Sequence, residues 1–189
     1  MTVYLIRHGK TEANEKHLYC GSTDLPLSDA GKAELQNLHY EIKNVRFITS
    51  GMKRTNETLQ LLFGDVLYEV DPRFREVDFG AFEMHSYEEL KETSEYRSWL
   101  TGNNEANVPP KGESGEQMKE RVLSAFSEIQ GDACIITHGG VIAAIMEHLF
   151  PSENKNRYEW QPKPGQGYIV SSARLSESAL HFRKLYQIC

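Results

Sequence analysis

Val3-Tyr4-Leu5-Ile6-Arg7-His8-Gly9, Phe47-Ile48-Thr49-Ser50-Gly51 and Cys134-Ile135-Ile136-Thr137-His138-Gly139-Gly140 share one pattern. Each is a short apolar run, rich in β-branched residues, that stops at a polar tip. Continuous runs of this length read as buried parallel strands. In open α/β sheets, ligands bind at the carboxyl ends of the strands. If the three are neighbours, Arg7, His8, His138 and the nearby Arg54 converge on one pocket. That combination suits a dianionic cluster of oxygens, with an imidazole placed to attack it.

Working outward, strands alternate with helices. A long polar loop, residues 8–28, follows the first strand. Ser28 opens a helix with Leu35, Leu38 and Ile42 along one face. Ser50 is expected to cap a helix that turns Met52, Thr55, Leu59 and Leu62 inward. Residues 66–70 read as a strand. Ser114 and Gln117 form a capping box ahead of Met118, Val122, Ala125, Phe126 and Ile129 at helical spacing. His138 leads into a helix carrying Val141, Ile142, Ile145, Met146 and Leu149. Near the end, residues 167–173 and 179–188 read as strands, the second with Leu180, Phe182, Tyr186 and Ile188 on one face and placed at a sheet edge. This alternation predicts a three-layer α/β/α sandwich, mostly parallel, with an antiparallel edge strand. Residues 71–113 break the rhythm with short helical pieces around 87–90 and 96–100, as a lid would.

The 189 residues suit a single domain over 1–189 with a sizeable core. No run approaches the ~18 apolar residues of a membrane helix. The opening residues lack a basic stretch, so no signal peptide is expected. The odd, scattered set Cys20, Cys134 and Cys189 suits free thiols in a reducing cytoplasm. A net charge of −6 disfavours a nucleic-acid partner and makes arginines at strand tips more telling. The other histidines, His17, His39, His85, His148 and His181, lack metal-ligand spacing, and neither a Walker loop nor a magnesium carboxylate cluster is present. Neither cofactor nor metal is expected. The expected partner is a small phosphorylated metabolite, with a homodimer left open.

The ordered blocks Arg7-His8-Gly9-Lys10-Thr11-Glu12-Ala13-Asn14, Gly21 to Gly31, Ser50 to Thr58, Arg75 to Glu83, Gly112-Glu113-Ser114 and Thr137-His138-Gly139-Gly140 resemble the histidine phosphatase superfamily, in its phosphoglycerate-mutase-like branch. The resemblance runs from about residue 3 to 145. It implies that His8 is the phosphorylated nucleophile, with Arg7, Arg54 and His138 completing the phosphate pocket. It also implies phosphate contacts from Asn14, and from the stretch of Cys20 and Gly21. Backbone N–H groups at Gly139 and Gly140 stand at a helix start, where the dipole favours anions. An alkoxide leaving group needs a proton donor. Glu76, Asp78 and Glu83 are unranked by residue chemistry alone; the resemblance ranks Glu76 first. It also assigns the lid to residues 71–113.

Two positions depart from the family pattern. Lys10 replaces the usual glutamate, implying a more basic pocket rim. Cys20 replaces a small polar or amide residue, implying weaker hydrogen bonding to phosphate. Three functions compete. Metal-independent phosphomonoester hydrolysis leads. A phosphoglycerate mutase is disfavoured because the chain lacks the extra middle insertion of the family's mutases. A non-catalytic phosphate-binding protein is disfavoured because Arg7, His8, Arg54, Glu76 and His138 are all present. Within the family, Tyr19 to Ser22 and Phe79 to Glu83 look most like the alpha-ribazole phosphatase group. Phe82, Tyr96 or Trp99 is expected to offer apolar surface to the leaving group, with Tyr19 a further candidate from the first loop.

Overall fold

The three apolar runs are strands, and they are neighbours. The structure is a computed structural model describing residues 1–172 and 181–185. Strands β1 (Thr2–Arg7), β2 (Arg46–Thr49), β3 (Tyr68–Val70), β4 (Ala133–Thr137), β5 (Gly167–Ser171) and β6 (His181–Leu185) form one sheet in the order β3-β2-β4-β1-β5-β6. The pairs β1/β4, β4/β2 and β2/β3 are parallel. Strand β5 pairs antiparallel with β1, and β6 closes that edge antiparallel to β5. Register aligns the tips: Arg7 lies opposite Thr137, and Thr49 opposite Ile136. Leu180, Tyr186 and Ile188 lie outside the described residues, so only Phe182 and its neighbours represent the last expected strand.

Eight α-helices are described: α1 (Glu12–Glu15), α2 (Asp29–Gln36), α3 (Lys53–Phe63), α4 (Tyr87–Leu90), α5 (Ser94–Leu100), α6 (Gly115–Ser127), α7 (Gly139–Leu149) and α8 (Arg157–Trp160). The pleat sends alternate residues of β1 to opposite faces. Val3 and Leu5 join the core made with Met118, Val122 and Phe126 of α6, Val141 to Met146 of α7, and Trp160. Tyr4 and Ile6 face the other core, with Leu59 of α3, Phe47 and Ile42. These are the three expected layers. Helix α7 is apolar on almost every side and correspondingly buried.

Local details differ from expectation at three places. Helix α2 begins at its Ser28 cap but ends at Gln36, because Asn37 Nδ2 takes the Ala33 carbonyl at 3.0 Å and competes with the helical ladder. Leu38 and Ile42 therefore lie beyond it, though Ile42 is still buried. Helix α3 starts after Met52, not Ser50, since the Ser50 hydroxyl is engaged elsewhere. Gly51, at φ +81°, makes the intervening turn where a Cβ would meet Val70. The loop at 8–28 contains α1, whose Thr11 and Asn14 form a capping box.

Residues 71–113 form an excursion over the strand tips. It has 3₁₀ turns at Pro72–Phe74 and Gly80–Phe82, then α4 and α5. Its own small core holds Phe82, Leu90 and Tyr96, with Tyr19, Phe79 and Trp99 packed against it. No described helix is long and apolar enough to cross a membrane.

Candidate active site

Adjacent tips of β1, β4 and β2 bring His8, His138 and Ser50 together. His8 N–H continues the ladder to the Thr137 carbonyl at 2.9 Å. The His8 and His138 rings then meet edge-on, with centroids 5.1 Å apart. Arg54, from the first turn of α3, meets the His138 ring through its Nε. It is 1% exposed.

Hydrogen bonds fix the tautomers. His8 Nδ1 lies 2.6 Å from the Gly9 carbonyl, which can only accept. The proton is therefore on Nδ1, and Nε2 carries a free lone pair. Burial holds the His8 pKa well below its ordinary value, and Arg54 and Arg7 push it further in that direction. A neutral imidazole with Nε2 unengaged is a ready nucleophile.

His138 is assigned the same way. Arg54 Nε donates to His138 Nδ1 at 3.3 Å, so the ring proton is on Nε2 and points to Ser50 Oγ at 2.9 Å. Ser50 in turn meets Thr55 Oγ1, and Thr55 donates to the Met52 carbonyl. Burial, with Arg54 next, keeps His138 neutral as well.

The two arginines are held differently. Arg54 donates to the carbonyls of Thr23 at 2.8 Å and Gly21 at 2.7 Å. Arg7 donates through one terminal nitrogen to the Pro162 carbonyl at 2.9 Å, while its buried Nε has no partner. Such an orphaned charged donor is costly unless an anion meets it. Burial lowers the pKa of both guanidiniums, with Glu76 partly offsetting it.

The carboxylates separate by what they hold. Glu76 Oε2 accepts the Gly140 N–H at 2.9 Å, and Oε1 accepts its neighbour Val77 N–H at 3.1 Å. It lines the cleft beside Arg7. Glu83 instead collects N–H groups from Gly21, Ser22, Thr23 and Phe79. Asp78 accepts from Ser22 Oγ and Gly80 N–H. Both shape the loop under the excursion, and neither lines the cleft.

The remaining expected residues are divided. Gly139 begins α7, and its N–H has no partner among the described residues. It lies so close to Arg7 that a Cβ would stand 3.1 Å from the guanidinium carbon. Cys20 lines the cleft, with its thiol against the Thr23 carbonyl and its pKa raised chiefly by burial. The Gly21 N–H is taken by Glu83 and its carbonyl by Arg54, so it holds the arginine through its carbonyl and leaves no N–H free. Asn14 Oδ1 is used by Thr11, while Nδ2 has no partner among the described residues. Lys10 pairs with Glu34 at 2.6 Å and does not line the cleft, so the expected basic rim is absent there.

A cleft of about 280 Å³ opens beside Arg7, Cys20, Glu76 and Gly140, while His8, Arg54 and His138 lie buried behind them and do not line it. Its lining is partly aromatic, from Tyr19, Phe79 and Trp99, and partly polar, from Asn104, Glu105, Arg157, Tyr158 and Gln161. Phe82 and Tyr96, expected at the leaving group, are instead 3% and 2% exposed inside the excursion's core and line no part of the cleft. The contribution of Arg157 to Gln161 was missed from sequence. Its one local signal is the Asn156/Glu159 capping box that starts α8. Among the described residues, no cluster of three His, Cys, Asp or Glu side chains could hold a metal ion.

Comparison with known proteins agrees with this geometry. The chain is 29% identical over 178 residues to the adenosylcobalamin/alpha-ribazole phosphatase of Salmonella typhimurium, covering 87% of each chain. It is 29% identical over 168 residues to phosphoglycerate mutase-like protein 4 of Arabidopsis thaliana, covering 81% of this chain and 73% of that one. A crystal structure from Escherichia coli, of a candidate alpha-ribazole-5′-P phosphatase, superposes with a TM-score of 0.84 at 25% identity, over 98% of this chain and 95% of the other. The model of the histidine phosphatase superfamily (branch 1) matches residues 3–179. With the paired histidines on adjacent strand tips, this match makes the chain a member of the histidine phosphatase superfamily, branch 1, and an enzyme with phosphatase activity.

Proposed function

We propose that this enzyme hydrolyses small phosphomonoesters through a phosphohistidine on His8, using protein cations in place of a metal. The observation that carries the reading is the His8 ring itself: buried, with Nδ1–H committed to Gly9, Nε2 free, and burial together with Arg54 and Arg7 keeping it neutral. Phosphoryl transfer needs positioning and charge stabilisation on the non-bridging oxygens. Arg7, Arg54 and the Gly139 N–H supply donors for them, with Asn14 and Cys20 at the margin; His138, whose Nε2–H goes to Ser50, holds Arg54 through Nδ1. His8 Nε2 attacks phosphorus as the bond to the leaving oxygen breaks, and Glu76 gives that oxygen a proton. Water then attacks the phosphohistidine and loses a proton to Glu76. The N–P bond breaks, and phosphate leaves with His8 neutral again.

The leaving group faces the walls of the cleft, with residues 71–113 acting as its lid. A lining that mixes aromatic and polar side chains suits a large, partly flat and hydroxylated group, such as the ribosyl-benzimidazole of alpha-ribazole 5′-phosphate. The name of the Salmonella relative supports the same substrate. Phosphoglycerate mutation is less well supported. The cations lining the cleft are Arg7 and Arg157, and Arg157 is already paired with Glu105, so a glycerate carboxylate meets no spare charge. Initial rates on alpha-ribazole 5′-phosphate, 3-phosphoglycerate and p-nitrophenyl phosphate, with and without a strong chelator, test the reading. Chelator-resistant hydrolysis, best on alpha-ribazole 5′-phosphate, is expected. Activity lost in chelator and restored by a divalent metal contradicts the metal-free mechanism. Faster hydrolysis of 3-phosphoglycerate contradicts the substrate.

A further inference from the structure

We propose that Arg121 is the positioning residue for Glu76, holding the main chain that carries the acid. The proposal rests on the phosphatase reading, in which Glu76 handles the proton. Between the turns Pro72–Phe74 and Gly80–Phe82 the chain belongs to no helix or strand, so its carbonyls need partners from elsewhere. Arg121, on α6, supplies those of Arg75 and Glu76, together with one inside the first turn. Its guanidinium donates to the carbonyls of Arg73 at 2.8 Å, Arg75 at 2.7 Å and Glu76 at 3.0 Å.

Glu113 completes the clamp. It accepts from Arg121 Nε at 3.1 Å and pairs with a terminal nitrogen as well. Its Oε1 also accepts the Asp78 N–H at 3.2 Å, and its own N–H donates to the Asp78 carbonyl at 2.9 Å. The chain is thus fixed before, at and after residue 76. The Glu76 carboxylate is fixed separately, by Gly140. Every hydrogen bond of the Arg121 side chain goes to this segment or to Glu113, and Arg121 does not line the cleft. A planar fork can serve several carbonyls at once; a lysine ammonium cannot reproduce that geometry. A misplacement of about 1 Å at a reacting group can cost on the order of 10²-fold in rate.

The test compares Arg121→Met, Arg121→Lys, Glu76→Gln and the double variant Arg121→Lys/Glu76→Gln. Single-turnover rates are measured on glycerol 1-phosphate, whose alkoxide needs a proton, and on p-nitrophenyl phosphate, whose phenolate does not. Melting temperatures are taken alongside. The expected result is a loss on the order of 10²-fold on the alkyl phosphate for both Arg121 variants, a far smaller loss on the aryl phosphate, and no further loss in the double variant beyond Glu76→Gln. A purely structural arginine would lower both substrates alike and multiply with Glu76→Gln; either outcome overturns the proposal. So does full alkyl phosphatase activity in a folded Arg121→Met protein. If that variant does not fold, Arg121→Lys decides by the same substrate ratio. Equal losses in Glu76→Gln itself would remove the acid assignment, and the positioning role with it, whereas a selective loss there without one in the Arg121 variants rejects Arg121 alone.

Discussion

Gly140 N–H donates to Glu76 Oε2 at 2.9 Å, tying a carboxylate from the excursion to the start of the helix behind His138. Two distant parts of the chain thereby share one edge of the phosphate pocket. A Cβ at residue 140 would stand 2.4 Å from Glu76 Oε1. Gly140→Ala is therefore expected to displace the carboxylate. Its activity on alkyl phosphates should fall by about 10-fold or more within the 10²–10⁴-fold range of acid–base catalysis, with p-nitrophenyl phosphate less affected. Steady-state kinetics on both substrates check this, and equal rates for variant and wild type count against it.

Glu83 is expected to act on stability. Its carboxylate gathers main-chain N–H groups from Gly21, Ser22, Thr23 and Phe79, and the Thr23 hydroxyl. Removing a charged acceptor leaves those donors unmatched, at roughly 1.5–3 kcal/mol for each such bond that solvent cannot replace. Glu83→Ala should lower unfolding free energy by about 3 kcal/mol. Denaturant titration measures this. Unchanged stability with lost leaving-group selectivity would instead place Glu83 in the chemistry.

The histidines give stability a pH dependence. His8 and His138 have folded pKa values well below 6.5, chiefly from burial. Once unfolded they titrate near their ordinary value, about 6.5. Below that pH the unfolded chain binds protons that the folded chain refuses. Their contribution is complete above about pH 6.5 and is lost as pH falls toward the folded values, at up to about 1.4 kcal/mol per pH unit for each histidine. Unfolding free energies at pH 7.5, 6.5 and 5.5, in phosphate-free buffer, should fall more steeply for wild type than for His8→Asn/His138→Asn. Parallel slopes would contradict the buried neutral pair.

Substrate choice should follow the aromatic and polar lining of the cleft. Trp99→Ala removes aromatic surface that lines it and should raise KM for alpha-ribazole 5′-phosphate, with 3-phosphoglycerate little changed. Phe82→Ala empties the excursion's core and should cost about 3–5 kcal/mol of local or global stability. Glu105→Ala frees Arg157 and should improve kcat/KM on 3-phosphoglycerate. Specificity constants for both substrates in the three variants check these outcomes. A glycerate preference unmoved by Glu105→Ala would show that Arg157 does not reach the leaving group.

The sheet was legible because its buried strands are continuous apolar runs ended by chemistry-bearing tips, and Ser114/Gln117 announced α6 within four residues. Other features depend on partners far along the chain. Asp78 and Glu83 look like acids until Ser22, Gly21 and Thr23, about sixty residues upstream, are seen to occupy them. Ser50 reads as a cap, but His138 takes its hydroxyl. Aromatic content marked the excursion, yet the sequence could not tell the inward Phe82 and Tyr96 from the cleft-facing Trp99. The polar lining residues Arg157, Tyr158 and Gln161 come from beyond the last parallel strand, where the Asn156/Glu159 capping box marks a helix but not a site.

The most direct test is the position of the phosphoryl group during turnover. His8 Nδ1 is committed to Gly9 at 2.6 Å, which leaves Nε2 as the attacking atom. Enzyme mixed with substrate and quenched in base preserves phosphohistidine, which is stable there and labile in acid. Digestion and phosphorus NMR then identify both the residue and the ring nitrogen. The account predicts phosphate on His8 Nε2, absent in His8→Ala. Phosphate on Nδ1, on His138, or on a serine or cysteine would contradict it.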